Sequence, residues 1–458
     1  MKTVTHIAIG VVAIALPLCT AFSIAVRADS LHDAVQYAIG THPDVREAAA
    51  NRRATQAELR EARGLYYPRV DVSGGFGPEW SENSTKPKGK WLGRTESEFN
   101  LTQLLFDGFS RDGEVEKRAA RVDSASIRVR ERSEVIALNS TQAYLDVLRN
   151  QELVQLAKDN VDVHRGIAAQ VADRVQGGQS GIGDQQQADA RVATAEDTLI
   201  RAEKDLQDSI AGYIRVIGEP PSGLTLPEFK DEMMPVNMEG SVSRSLVNNP
   251  AVKAVASDID VAHGERRVVE GSFYPTIRFE ARATFNQNLD GVSGNNHDAQ
   301  AMLRLRYALY NGGQDTARRL EAVERIGEAR EHFLGVQRII EEQARLSWIA
   351  TEHAQRESVK LNDLVLANSQ VVATYRQEFE IGQRDLLDLL DSENELFLAR
   401  SRLITADYVA LFGKYRILAD TGDLLAALDL TVLEEGETGF RAEAGVKPDW
   451  QGEKGLTK

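Results

Sequence analysis

The feature that most constrains this chain is an internal repeat, in which the second half restates the first. Gly178-Gln179 recurs as Gly382-Gln383, and Tyr67-Pro68 recurs as Tyr274-Pro275. A period of about 200 residues indicates duplication of a whole unit rather than a solenoid of short repeats. Each unit reads as a helix, two strands and a long helical hairpin. One chain therefore has only four strands, and this small number leads to oligomerisation.

The repeat divides the chain into two similar parts joined by a proline-rich linker. We expect a signal peptide at 1–28, a first repeat at 29–217, the linker at 218–240, a second repeat at 241–425 and a polar, partly disordered tail at 426–458. Each repeat begins with a helix and continues with a β-hairpin and a helical hairpin. The β-hairpins are predicted at 69–106 and 276–310, and the helical hairpins at 109–216 and 314–419.

The N-terminal segment has the pattern of a secretory signal. Lys2 precedes an apolar run that ends near Val26, and Ala28 supplies the small residue at which a signal peptidase would cut. A retained transmembrane helix is the alternative. The single cysteine, Cys19, lies within this segment. The mature chain is therefore expected to have no thiol and no disulfide, as an exported protein can simply avoid cysteine.

The strands alternate between apolar and polar residues. In the second repeat, Ile277 and Phe279 alternate with Arg278 and Glu280. Period-two alternation over about ten residues is typical of transmembrane barrel strands. A soluble sandwich with its charged face in bulk water is the alternative. The side chains predicted to line a water-filled lumen are Arg278, Arg282, Arg304 and Arg306.

The predicted strand limits differ between the two repeats. In the first repeat we expect strands at 69–77 and 95–106, separated by a loop at 78–93 that is rich in glycine, proline and lysine. In the second repeat the strands are expected at 276–286 and 300–310.

Very long helices follow each β-hairpin. The segments 109–175 and 314–380 contain no proline and are rich in helix-forming residues. At 1.5 Å per residue, each would form a rod roughly 100 Å long. Antiparallel helices of this length need partners along their whole length, which predicts a coiled-coil-like assembly. A shorter helix is expected at 31–64, with Pro43 near an early turn.

Four strands are too few for a closed wall around a pore, and an open sheet edge in lipid is costly. After the signal, no run of about 18 apolar residues occurs, so entry into a membrane would require a closed β-barrel. Three chains would supply twelve strands. The predicted fold is therefore mixed, mainly α with β. It is a homotrimeric 12-stranded transmembrane β-barrel with four strands per chain, continued by a long α-helical barrel and built on the internal two-fold repeat.

The residues at the ends of the helical hairpins resemble a known family. The string from Phe379 to Leu396, FEIGQRDLLDLLDSENEL, is similar to the tip of the second hairpin in TolC-family outer-membrane channel tunnels. Its Gly-Gln-Arg and Asn-Glu-Leu elements resemble the branch that serves type I secretion. The resemblance covers roughly residues 30–425 and implies a cell outer-membrane location with the helical barrel in the periplasm. The partners that it implies are outer-membrane lipid, a periplasmic adaptor and an inner-membrane ABC transporter.

The resemblance also implies a periplasmic gate. Asp388 and Asp391 match two acidic residues that constrict the mouth, and their spacing of three places them on one helix face. Rings of three such carboxylates would favour cations. The alternative is ordinary helix capping by Asp385, with Asp388 placed favourably near the positive end of the helix dipole.

A polar latch between the hairpins is implied as well. Arg384 and Asp184 match its basic and acidic members, whereas Phe379 stands where the family's best-known member has a tyrosine. Because phenylalanine has no hydroxyl, we expect the latch to depend on Arg384, and a solvated surface arginine is the alternative. Ordinary helix termination is also the alternative for the glycines predicted to contact the adaptor. These are Gly177, Gly178, Gly181 and Gly382.

Composition and motifs exclude other functional classes. The net charge of −15 gives no basic footprint for a nucleic acid. No metalloprotease, nucleophile-elbow or phosphate-loop string occurs, so we predict neither an enzyme nor a cofactor or metal site. The predicted function is an outer-membrane exit duct of a tripartite type I secretion system that passes unfolded polypeptide. The alternatives are the outer channel of a multidrug or small-molecule efflux pump and a periplasmic coiled-coil adaptor.

Overall fold

The computed structural model describes residues 30–83 and 86–446. The predicted signal peptide at 1–28 lies outside the described residues. The α-helices of the described residues are α1 Leu31–Thr41, α2 Pro43–Gly64, α3 Ser110–Gln176, α4 Ile182–Ile217, α5 Met238–Asn248, α6 Pro250–Glu270, α7 Gln314–Glu380, α8 Leu386–Asp420, α9 Leu424–Ala427 and α10 Phe440–Glu443. The strands are β1 Arg69–Asn83, β2 Lys86–Phe106, β3 Thr276–Gln287 and β4 Asn295–Arg306. Single 3₁₀ turns occur at Asp231–Met233, Gly271–Phe273, Leu289–Gly291 and Glu434–Gly436.

The order of elements repeats along the chain. Two short helices, a β-hairpin, a long helix and a returning helix occur in the first half and again in the second. The long helices α3 and α7 each contain 67 residues. Among the described residues, no helix combines the length and the apolar character that crossing a membrane would demand.

The single helix predicted at 31–64 is two helices, because Pro43 breaks it. His42 has an extended backbone, and its ring nitrogen accepts a hydrogen bond of 3.2 Å from the backbone N–H of Asp44. A residue before proline avoids helical geometry, whereas proline itself suits the first turn of the next helix. Pro250 breaks the second repeat in the same way, and the side chain of Asn249 caps α6.

The four strands form one antiparallel sheet in the order β1-β2-β3-β4. The loop predicted at 78–93 is wrong, because β1 continues to Asn83 and β2 begins at Lys86. Trp80 lies directly opposite Trp91, and a side chain at Gly89 would overlap the Trp80 ring. The Trp80 ring lies against Gly89 of the other strand, and this cross-strand packing favours the extended hairpin over a loop. In the second hairpin, β4 spans Asn295–Arg306 rather than the predicted 300–310.

Among the described strands, the outer edges of β1 and β4 are unpaired, and one face of the sheet is apolar and uncovered. On that face Phe76 is 92% exposed and Leu303 is 67% exposed. Helix α7 also carries large apolar side chains that the single chain leaves in solvent. These include Leu320, Ile339, Leu346 and Val359.

Helix α3 is the central element of the helical part. Near the sheet it packs against α2 and α6, and towards its far end it packs against α4 and α8. Helix α7 packs on α6 and α8. The largest apolar cluster surrounds the middle of α3, where Tyr144 meets residues of α1, α8 and α9 such as Val35, Leu418 and Leu424.

Of the polar tail predicted to be partly disordered at 426–458, the part as far as Val446 packs on the helices. The Asp123 carboxylate on α3 accepts hydrogen bonds from the backbone N–H groups of Gly439 at 3.0 Å and Phe440 at 3.1 Å. Arg441 is buried between Asp123, at 3.0 Å, and Asp260 of α6, at 2.5 Å. The polar composition that suggested disorder therefore includes a buried, paired charge. Residues 447–458 lie outside the described part of the chain.

Glu134 of α3 is buried beside the start of α9. Burial raises the pKa of its carboxyl group to about 8, and nearby Asp423 adds to this rise. The backbone N–H groups of Leu424 and Leu425 act in the opposite direction but more weakly than burial. Between about pH 4.3 and pH 8, the folded state therefore holds a proton that the unfolded state has lost. The free energy of unfolding consequently falls as pH rises through this interval.

Glu134→Gln should remove this pH dependence, because glutamine has the same shape and does not titrate. We expect the midpoint of thermal unfolding, followed by circular dichroism in detergent, to exceed that of the wild type by several degrees at pH 8.5. The difference should shrink towards zero near pH 5. Glu203→Gln, at an exposed position on α4, is the control. An equal difference at both pH values would contradict the assignment.

Candidate functional site

The two helical hairpins end in the same turn. The backbone N–H of Gln179 donates to the carbonyl of Arg174 at 2.8 Å, and that of Gln383 donates to the carbonyl of Glu378 at 2.8 Å. In both turns a glycine, Gly178 or Gly382, has a positive φ near 70° (72° and 75°). Only glycine adopts this conformation without strain, so helix termination accounts for these two positions.

Gly177 and Gly181 have negative φ angles, of −77° and −85°, so the backbone conformation does not require glycine at these two positions. All four predicted contact glycines lie exposed at the two turns. Their contact with an adaptor stays a prediction.

An apolar cluster joins the two hairpins just behind their tips. Ile167 and Val171 of α3 pack with Phe379 of α7 and with Leu386 and Leu389 of α8. Phe379 is 4% exposed, so its ring is part of this core. Phenylalanine suits this buried position because it has no hydroxyl group that would need a hydrogen-bond partner.

The predicted latch between Arg384 and Asp184 is not formed within the chain. The Arg384 guanidinium binds Glu378 at 2.9 Å and Asp388 at 3.1 Å, and it lies 3.9 Å above the centre of the Tyr375 ring. All three partners belong to the second hairpin. Arg384 therefore stabilises the turn of its own hairpin and does not connect the two.

Asp184 has a local role at the start of α4. Its carboxylate accepts the backbone N–H of Gly181 at 3.1 Å, while its own N–H donates to the Gly181 carbonyl at 3.1 Å. This is a helix cap of the usual kind. Asp184 thus lies at the tip of the first hairpin, and its partner within the chain is the backbone of Gly181.

Arg174 makes the connection between hairpins that was predicted for Arg384. One guanidinium nitrogen donates to the carbonyls of Phe379 at 2.8 Å and Glu380 at 3.0 Å, and the group lies 4.2 Å from the centre of the Phe379 ring. These carbonyls are at the C-terminal end of α7, where the helix dipole favours a cation. The available signal was an arginine in the last turn of α3, but its target could not be read from the sequence.

Both predicted gate carboxylates are paired with arginines. Asp388 accepts from Arg384, four residues earlier in the same hairpin. Asp391 accepts from Arg191 of α4 at 2.6 Å, so this ion pair crosses between hairpins. Asp385 caps α8 through the Leu386 N–H at 2.8 Å, as the alternative interpretation expected. No pattern in the sequence pointed to Arg191.

The four predicted lumen arginines share one face of the sheet. In the register, Arg278 lies opposite Arg304, and Arg306 lies opposite Thr276. Arg282 binds Glu98 at 2.6 Å, and Arg304 binds Glu280. This face is polar and charged, whereas the opposite face is apolar.

The described fold and tips agree with a known protein family. Residues 34–219 and 241–411 match the family model described as "Outer membrane efflux protein". The two matched segments correspond to the two repeats. The chain belongs to this family.

Individual relatives are distant but similar in length. The chain is 24% identical to the outer membrane efflux protein BepC of Brucella suis, over 93% of this chain and 92% of the relative. It is 22% identical to the outer membrane protein TolC of Escherichia coli, over 88% and 84%. It is 23% identical to the alkaline protease secretion protein AprF of Pseudomonas aeruginosa, over 88% of each.

Solved structures show the same fold. The Campylobacter jejuni CmeC outer membrane channel has a TM-score of 0.76 at 12% identity, covering 92% of this chain and 90% of that one. These matches confirm the predicted fold class and the resemblance to TolC-family channels. The chain is an outer-membrane efflux or secretion channel protein.

We predict that Arg174 restrains separation of the hairpins. Arg174→Met keeps an apolar stem beside Phe379 but removes both hydrogen bonds, so the mouth should open more often. Cells that carry the variant should become more sensitive to a large antibiotic that the outer membrane normally excludes. Arg165→Met is the control, because Arg165 pairs with Glu196 inside the first hairpin. Wild-type resistance with Arg174→Met would argue against this restraint.

Proposed function

We propose that the chain is one protomer of a homotrimeric channel, in which three sheets close into a 12-stranded barrel. The supporting observation is the sheet itself, with two unpaired edges and an exposed apolar face. Pairing β4 of one protomer with β1 of the next would remove every edge, and the apolar face would then meet lipid. The polar face with its four arginines would line water.

The helices would continue this wall. Helix α7 carries uncovered apolar side chains along its length, and a neighbouring protomer is the partner that covers them in this proposal. The hairpin tips would then meet around the symmetry axis in the periplasm and form the mouth. There they would contact a periplasmic adaptor and an inner-membrane ABC transporter. The chain itself would catalyse no reaction.

The assembly can be tested directly. Outer membranes are extracted with detergent, and the particle is measured by light scattering and then added to planar bilayers. We expect a mass of three chains and stepwise ion conductance, because only the closed trimer encloses water. A monomer that stays soluble without detergent and conducts no ions would refute the proposal.

For the transported material we propose unfolded polypeptide, passed outwards as part of a type I secretion system. The string from Phe379 to Leu396 supports this choice, as does the similarity to AprF, whose name is that of a protease secretion protein. Small-molecule efflux is the second candidate, since BepC is named as an efflux protein.

Deletion of the gene separates these two functions. Under the secretion proposal, one polypeptide should disappear from the culture medium and accumulate in the cells, while sensitivity to dyes and detergents changes little. A plasmid copy of the gene should restore secretion. An unchanged set of extracellular proteins, together with strongly increased sensitivity to dyes, would favour efflux.

A further inference from the structure

We propose that Arg191 is a specificity-determining residue that couples the charge of the mouth to its opening. It neutralises Asp391 while the two hairpins lie together and leaves that carboxylate free when they separate. This inference rests on the proposed function, in which the hairpin tips of three protomers form the mouth.

The contact that carries the inference joins the two hairpins of one chain. Arg191 lies on α4 and Asp391 on α8, and the guanidinium Nη2 is 2.6 Å from the carboxylate Oδ1. The nearby Glu393 is buried and is held by Arg376. Arg191 therefore has Asp391 as its carboxylate partner, and the pair depends on the distance between α4 and α8.

Asp388 pairs with an arginine of its own hairpin, whereas Asp391 pairs with an arginine of the other hairpin. Arg384 comes from the same hairpin, four residues before Asp388, and is also held by Glu378 and by the Tyr375 ring. This pair would move as one unit with its hairpin, so its charge stays compensated in any arrangement of the tips. Of the two predicted gate carboxylates, only Asp391 is compensated by the other hairpin.

The Arg191–Asp391 ion pair affects the electrostatic potential at the mouth more than it affects stability. The Asp391 side chain is 54% exposed, and an exposed ion pair contributes only about 0.2–1 kcal/mol to stability. The ion pair of Arg191 therefore contributes little to holding the two hairpins together. The positive charge of Arg191 nevertheless changes the potential felt by an ion at the mouth, and three-fold symmetry would triple that change. Opening would uncover three carboxylates and make the mouth more selective for cations.

The test uses the full-length trimer in planar bilayers, with Arg191→Gln compared with the wild type. Two quantities are measured: the reversal potential in a KCl gradient, and block by hexaamminecobalt(III) added on the side of the hairpin tips. We expect stronger cation selectivity and a block roughly tenfold tighter in the variant. Arg191→Lys keeps the charge and should stay near the wild type. Arg165→Gln removes an arginine from an ion pair inside the first hairpin and should have no effect.

The background Asp391→Asn separates the charge effect from loosening of the structure. Loss of the arginine charge shifts the reversal potential in either background, so block by the trivalent cation decides. With Asp391→Asn, Arg191→Gln should tighten the block much less than it does when Asp391 is present, because the carboxylate that Arg191 compensates is gone. Wild-type selectivity and block in Arg191→Gln would overturn the inference, and so would a block that tightens equally with Asp391→Asn. These results leave the channel proposal intact. Failure of the wild-type trimer to conduct ions would refute the proposed function and this inference with it.

Discussion

The rest of the structure depends on the backbone groups along the two edges of a four-stranded sheet. β1 and β4 each present a row of hydrogen-bonding groups that no other described strand of the chain pairs with. In lipid such groups cannot be satisfied by water, and leaving them unpaired is costly. In the proposed trimer, neighbouring protomers pair with these edges, and lipid and neighbouring protomers cover the apolar surface of the sheet and of α7.

The two hairpin tips have the same backbone turn because the chain contains an internal repeat. Different residues at matching positions give the two tips different side-chain contacts. The turns around Gly178 and Gly382 have the same hydrogen bonds, yet Arg174 in the first repeat corresponds to Glu378 in the second. The arginine reaches across to the other hairpin, whereas the glutamate holds Arg384 within its own. The two arginine contacts at the tips that cross from the first hairpin to the second, those of Arg174 and Arg191, therefore both start from the first repeat. At the tips, the first hairpin donates these two contacts, which separation would break.

The C-terminal segment links the two repeats at the other end of the helices. Arg441 binds Asp123 of α3 and Asp260 of α6, so one buried cation holds carboxylates from both repeats. Removing one member of such a group leaves an uncompensated buried charge, which costs about 3–5 kcal/mol. The repeats are thus connected near the sheet by a buried charge, and near the tips by an apolar cluster together with the Arg174 and Arg191 contacts.

The sequence by itself determined the elements and their order. Absence of proline indicated the lengths of α3 and α7, and period-two alternation identified the sheet and its charged face. Pro43 and Pro250 divide the short helices by local backbone geometry, although a single helix was predicted at 31–64. These features depend on neighbours close in sequence. The partners of Arg174, Arg191 and Arg441, and the extension of the first β-hairpin around Trp80 and Trp91, were decided by the tertiary structure. A side chain's partner depends on which helix or strand lies beside it, and residues some 200 positions apart meet only after packing.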